Sequence, residues 1–237
     1  MQKRILNSVS RLFLYSFLIM LSGCAKKDDV VPAKDIWDIE KSGIPRFVTV
    51  NYIDLNKIYR ISRFRSSYGH DYSDAFEHCR SMKHYFEPEM NVDWSSIKIY
   101  CPVTGKITRI EQEWAGTKIE IEASEYPAFR FSIFHINTLG NPNVDDKVVA
   151  GDQLGTHIGF ETMSDISVIV NDPSRQGRMV SYFEVITDDV FQEYSSRGVN
   201  SREDLIISKA IRDANPITCS GETFITTDNI ENWITLK

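Results

Sequence analysis

The sequence predicts a mainly β (α+β) chain, and three observations predict it. Between residues 97 and 170, six short segments rich in Ile, Val, Thr and Phe follow one another closely. Gly105, Gly116, Pro127, Gly140, Pro142, Gly151 and Gly155 punctuate them where turns are needed. Helical patterns are confined to one segment before this region and to the last sixty residues. With 42% hydrophobic residues in a chain of 237, one sizeable core with an appended subdomain can be buried.

In chain order, residues 1–23 stand apart. Lys3, Arg4 and Arg11 precede the apolar run "LFLYSFLIML", which is too short to span a bilayer as a helix. This is the layout of a secretory signal. The ending Leu21-Ser22-Gly23-Cys24 resembles the lipobox of bacterial lipoproteins, which implies acylation of Cys24, a bilayer partner and a lipid-anchored place in a bacterial outer membrane, periplasmic or at the cell surface. The "AKKDDVVPAKD" that follows resembles the surface-export signal of Bacteroidetes lipoproteins; it reads equally as a plain solvated tether, assigned here to residues 24–45. Loss of residues 1–23 removes three bases and no acids, so the formal charge moves from −6 to −9. An acidic chain without a basic stripe argues against nucleic acid as a partner.

"RFVTVNYI" (46–53) and "KIYRISRFR" (57–65) read as strands. "SDAFEHCRSMKHYF" (73–86) places Phe76, Cys79, Met82 and Tyr85 three apart and reads as a short amphipathic helix. Lys83, His78 and His84 fall on that helix, the histidines on its surface. The six β segments follow as "IKIYC" (97–101), "GKITRI" (105–110), "TKIEIE" (117–122), "FRFSIFHI" (129–136), "DKVVAGDQLGTHIG" (146–159) and "DISVIV" (165–170). From residue 176 to 237 a C-terminal extension is expected. It holds a strand over 178–186, a helix over 188–198 closed by Gly198, and a helix over 201–215 opened by the capping pair Ser201 and Asp204. Cys79, Cys101 and Cys219 allow three pairings. Cys101 lies in an apolar strand pattern and reads as core, which favours Cys79–Cys219.

The segment from Pro102 to Val170 resembles the lysostaphin-type zinc metallopeptidases. It has a Pro-x-x-Gly turn (Pro102 to Gly105), a glycine-linked strand pair, a strand ending in His135, and Val148, Gly151 and a late Gly155. The resemblance covers residues 58–172 and assigns 46–175 to a metallopeptidase-like β domain. It implies a duplicated hybrid motif, an antiparallel sheet curled around a groove. In that family Gly-His-x-x-x-Asp supplies two zinc ligands, and Gly69, His70 and Asp74 match it. His135 matches a histidine that lines the active site. The family then needs His-x-His on the last groove strand, where a spacing of two puts both side chains on one face. Here those positions read Asp165-Ile166-Ser167.

A catalytic zinc needs three protein ligands and an open position for water. His70 and Asp74 form an incomplete site, so no cofactor is expected beyond weak zinc, and no catalytic residue. His135, Asp165 and Ser167 remain as groove residues. Read without the β region, His70 and Asp74 simply hydrogen-bond each other and cap the following helix, with Asp71 solvated beside them. His157 has no counterpart in the family. The leading reading is an inactive module that binds or scaffolds a cell-envelope peptide or glycan. The alternatives are a divergent zinc endopeptidase with Asp165 as a ligand, and a structural subunit of a surface complex.

Overall fold

A computed structural model describes residues 35–159, 162–226 and 228–237. The leader, the anchor Cys24 and the first part of the tether therefore lie outside the described residues. One antiparallel sheet dominates the rest. Its strands are β1 (Ile58–Ser62), β2 (His84–Pro88), β3 (Lys98–Tyr100), β4 (Gly105–Gln112), β5 (Thr117–Ala123), β6 (Phe129–Thr138), β7 (Lys147–Val148), β8 (Gln153–His157), β9 (Ser164–Asp172), β10 (Arg175–Val180) and the late β13 (Trp233–Thr235). The main path runs β13-β1-β2-β9-β6-β5-β4-β7; β10 pairs with β9, and β8 bridges β3 and β6. A separate two-stranded hairpin is formed by β11 (Cys219–Ser220) and β12 (Thr223–Phe224). Among the described residues the short α-helices are α1 (Ile39–Ser42), α2 (Tyr182–Val185), α3 (Asp188–Ser195) and α4 (Lys209–Ala214).

Alternation along the central strands sorts their two faces. Ile166, Val168 and Val170 of β9, Phe129, Phe131 and Ile133 of β6, and Ile119 and Ile121 of β5 are fully buried in one core. Removing such side chains from water is the main force holding the sheet, at about 1.5–3 kcal/mol each. The opposite parity carries Tyr85 on β2 (with Lys83 just before the strand), Asp165 and Ser167 on β9, Ser132 and Phe134 on β6, and Lys118 on β5. The register sets Tyr85 against Asp165 and Ser132 against Ser167, so these residues share one patch.

Several expectations need correction. Residues 73–86 are not a helix: they form a loop followed by the start of β2. Asp71, expected to be solvated, organises that loop by accepting hydrogen bonds from Ser73 Oγ at 2.6 Å, Cys79 N at 3.1 Å and Arg80 N at 3.1 Å. Glu77 is clamped between Arg65 and Arg80, both at 2.7 Å. These local partners, with a left-handed Cys79 (φ 56°), outcompete helical hydrogen bonding. Residues 46–53 make only isolated bridges, Val48 to Ile186 and Ile53 to Ile99. The strand expected to reach 186 stops at Val180, because Ser181 and Glu184 form a capping box that opens α2. The region 201–215 breaks into a 3₁₀ turn and α4.

The last part of the tether is docked rather than free. Trp37 N donates to Asn171 O at 3.0 Å, the Trp37 ring packs on Tyr126 with centroids 5.2 Å apart, and Ile39 is buried. The disulfide joins Cys79 to Cys219, and Cys101 is a buried free thiol. Burial pushes that thiol's pKa up to about 12, so it behaves as core.

Candidate functional site

The sheet's polar patch opens into a groove of about 730 Å³. Its floor comes from β2, β6 and β9, and its walls from the His70 loop, the β4–β5 turn and the β11–β12 hairpin. The opening follows from strand pairing. On one edge β6 pairs with β9 as far as Ile133, then with β8 from Ile136. At the switch lies His135, with φ 61°, inside a break in the β5–β6 register. A bulge here re-aims one side chain out of the pleat. Gly116 makes it possible, because a Cβ there would stand 2.9 Å from Ile136 O.

The floor carries an ion pair that the sequence did not announce. Lys83 Nζ stands 2.8 Å from Asp165 Oδ2, with side chains 2% and 0% exposed. Burial alone would lower the lysine's pKa, but the Asp165 carboxylate, together with Tyr85 and Tyr72, outweighs it and the pKa is raised. The ammonium is also surrounded by aromatic faces, 4.0 Å from the Phe134 centroid and 4.5 Å from that of Tyr72. The hydroxyl of Tyr85 is pushed up to about 12 by burial and then by Asp165. Gly69 lets Tyr85 approach: a Cβ on this φ 75° residue would fall 2.3 Å from its hydroxyl.

His135 sits at the edge of the same floor. Its Nδ1 is 2.9 Å from Ala115 O, and a carbonyl only accepts, so Nδ1 carries the proton. Its Nε2 faces Asp165 Oδ1 at 3.8 Å. His70 lines the wall, with Nδ1 3.0 Å from Asp71 O and 3.5 Å from Glu222 of the hairpin.

Of the residues picked out in the sequence, His70, His135 and Asp165 line one groove. Asp74 does not. Its carboxylate accepts from Phe76 N at 2.9 Å and Met179 N at 3.1 Å, and it lines a separate small cavity. It therefore neither caps a helix nor bonds to His70. Ser167 lies beneath the groove, 1% exposed, facing Ser132 across the strands. His157 is buried against Trp94, accepts from Gly159 N through Nδ1, and has its pKa lowered to about 4 by burial. His84, expected on the surface, is a core residue. It donates from Nδ1 to Ser62 O at 2.8 Å, and its Nε2 is 2.7 Å from Ser181 Oγ. Burial holds its pKa at about 4.

These residues do not fit a zinc ion. Asp165 is already neutralised by Lys83, Asp74 is committed elsewhere, and Ser167 offers a buried neutral hydroxyl. Among the described residues, no group of three or more His, Cys, Asp or Glu side chains is placed to hold a metal. Lys83 is the residue that motif reading missed. Only the pairing of the strand that follows it with β9 brings it to Asp165.

No protein-family model matches the chain, and no curated protein matches it. Solved structures similar to it are lysostaphin- and LytM-type peptidase domains. The catalytic domain of lysostaphin from Staphylococcus simulans is 18% identical, with a TM-score of 0.34 over 48% of this chain and 81% of that one. Csd3 of Helicobacter pylori is 15% identical, with a TM-score of 0.44 over 68% and 42%. The M23 metalloprotease pseudoalterin, from the deep sea, is 21% identical, with a TM-score of 0.36 over 56% and 74%. The chain spans 43% of the length of a Ruminococcus gnavus protein described as a LytM glycyl-glycine endopeptidase, at 17% identity.

Proposed function

We propose that this chain is a cell-envelope lipoprotein whose groove binds an envelope ligand and performs no metal-dependent hydrolysis. The observation that carries the reading is the Lys83–Asp165 pair. The carboxylate on the last groove strand is engaged, 2.8 Å from a protein ammonium, inside a cage of aromatic rings. A metal recruiting Asp165 would have to displace a buried cation with a raised pKa, at a cost that one exposed imidazole from His70 does not offset. What remains is a concave site with convergent polar groups and aromatic walls, the usual form of a ligand pocket.

The test is zinc content after dialysis, together with hydrolysis of glycine-rich and cross-bridge peptides. The expected result is zinc well below one equivalent and no cleavage. Stoichiometric zinc with cleavage, both lost in Asp165→Ala, would refute the reading. The anchor is tested separately: the mature chain should begin at Cys24 and partition with membranes, since two or three acyl chains at about 0.8 kcal/mol per buried methylene hold firmly. Fatty-acid labelling that persists in Cys24→Ser would refute that part.

A further inference from the structure

Two buried acceptors face each other across the groove floor. His135, with its proton fixed on Nδ1 by Ala115 O, presents a lone pair at Nε2 in its neutral form. Asp165 Oδ1, 3.8 Å away, accepts no hydrogen bond from any described group. The Tyr85 hydroxyl, on a residue 5% exposed, makes no well-formed hydrogen bond, although Ser81 and Lys83 lie close to it. Buried polar atoms left unmatched cost about 1–3 kcal/mol each, so the arrangement calls for a group that both donates and accepts. On its own side of the floor, Lys83 adds further N–H donors.

The walls narrow the ligand class. Trp114, on the turn between β4 and β5, is 77% exposed although its ring lies 6.0 Å from that of His135. Trp94 stands on the lining as well, with Tyr68, Tyr72 and Phe134 between. Among the described lining residues, Lys83 and Lys118 are set against Glu113, Asp165 and Glu222, so the groove selects no strongly charged ligand. The floor strands β6 and β9 are hydrogen-bonded on both edges, so an extended peptide finds no free strand to pair with. Side chains alone converge there.

We propose that the groove binds a saccharide, with a ring stacked on Trp114 and hydroxyls placed between His135 Nε2, Asp165 Oδ1 and the Tyr85 hydroxyl. A pyranose has the required form: an apolar C–H face for the indole, and an edge of hydroxyls that donate and accept at once. This rests on the reading of the groove as a binding site and names its ligand class.

The test uses the purified soluble chain lacking residues 1–24, titrated with chitotetraose, cellotetraose and maltotetraose, with triglycine and pentaglycine alongside. Tryptophan fluorescence and indole NMR shifts are followed. At least one oligosaccharide should move the Trp114 signal, with a Kd below about 10 mM, the level at which binding falls under roughly 3 kcal/mol. Trp114→Ala, an exposed position that leaves the core untouched, should weaken binding at least fivefold, and His135→Gln should do the same. Peptides that shift the Trp114 and Phe134 signals while no saccharide does would overturn the saccharide assignment and leave groove binding standing. Silence of those signals toward every probe would overturn both.

Discussion

Replacing Lys83 with methionine keeps the unbranched stem of the side chain and removes its ammonium, leaving Asp165 buried at 0% exposure beside Tyr85 and Phe134. At 2.8 Å the direct attraction is about 6 kcal/mol at an effective dielectric constant of 20. Desolvation of both ions consumes much of that. The net cost of orphaning one partner is nonetheless about 3–5 kcal/mol, against a total stability of about 5–15 kcal/mol. Urea unfolding followed by tryptophan fluorescence should show the midpoint falling by about 1–2 M, at a slope of about 2–3 kcal/mol per M. The deficit should shrink as pH falls from 7 toward 4, because a buried carboxyl without its cation has a raised pKa and folds more favourably when protonated. The raised lysine pKa means its contribution is complete below the ordinary lysine value and is lost only as pH rises through the higher folded value. The double variant Lys83→Met/Asp165→Leu should be more stable than Lys83→Met alone. A Lys83→Met change of less than about 0.5 kcal/mol, the range of ordinary surface substitutions, would refute the argument.

Other outcomes follow from the same geometry. The Cys79–Cys219 disulfide closes 140 residues, which the chain-entropy model values at roughly 5 kcal/mol. Thermal unfolding with and without reductant should show that loss, and reduction should weaken any groove ligand, because Glu222 lies on the tethered hairpin. His84, held at about pKa 4, contributes stability that is complete above its unfolded value near 6.5 and is lost as pH falls toward 4. Urea midpoints between pH 7 and 4 should decline accordingly, and a His84→Asn variant should show a flatter profile. Gly69→Ala would force a Cβ to within 2.3 Å of the Tyr85 hydroxyl at a left-handed φ, so it should lose more than about 1 kcal/mol and shift the Tyr85 ring resonances.

The sheet was legible where side chains alternate. β3 to β6 and β9 fall within a few residues of segments picked out by β-branched and aromatic patterning, because one face of each is buried and the pattern records it. The pattern failed where buried polar groups organise the backbone. Phe76, Cys79, Met82 and Tyr85 have helical spacing, yet Asp71 and Glu77 gather the local donors and a covalent link fixes Cys79. Ser181 likewise ends a strand by capping a helix that hydropathy alone runs through. Trp37 and Ile39 sit among prolines and charges, so composition suggested a free tether where two apolar side chains dock.

The site was legible by position and opaque by role. His70, His135 and Asp165 do converge, but Asp74 spends its carboxylate on Met179 N, a partner more than a hundred residues away that no local spacing announces. The decisive residue, Lys83, was assigned to a helix. Its meaning depends on pairing across strands: Tyr85 of β2 is set against Asp165, and Lys83, just before the strand, reaches the same carboxylate. Once there it cannot remain unpaired in so dry a place, and Asp165 cannot remain unpaired either. Each is intelligible only through the other. A motif read along the chain finds a carboxylate in a ligand's position and asks which metal it holds. The register supplies the cation from inside the chain, which turns the question toward the acceptor left over, Asp165 Oδ1, and the hydroxyl-bearing ligand it is free to meet.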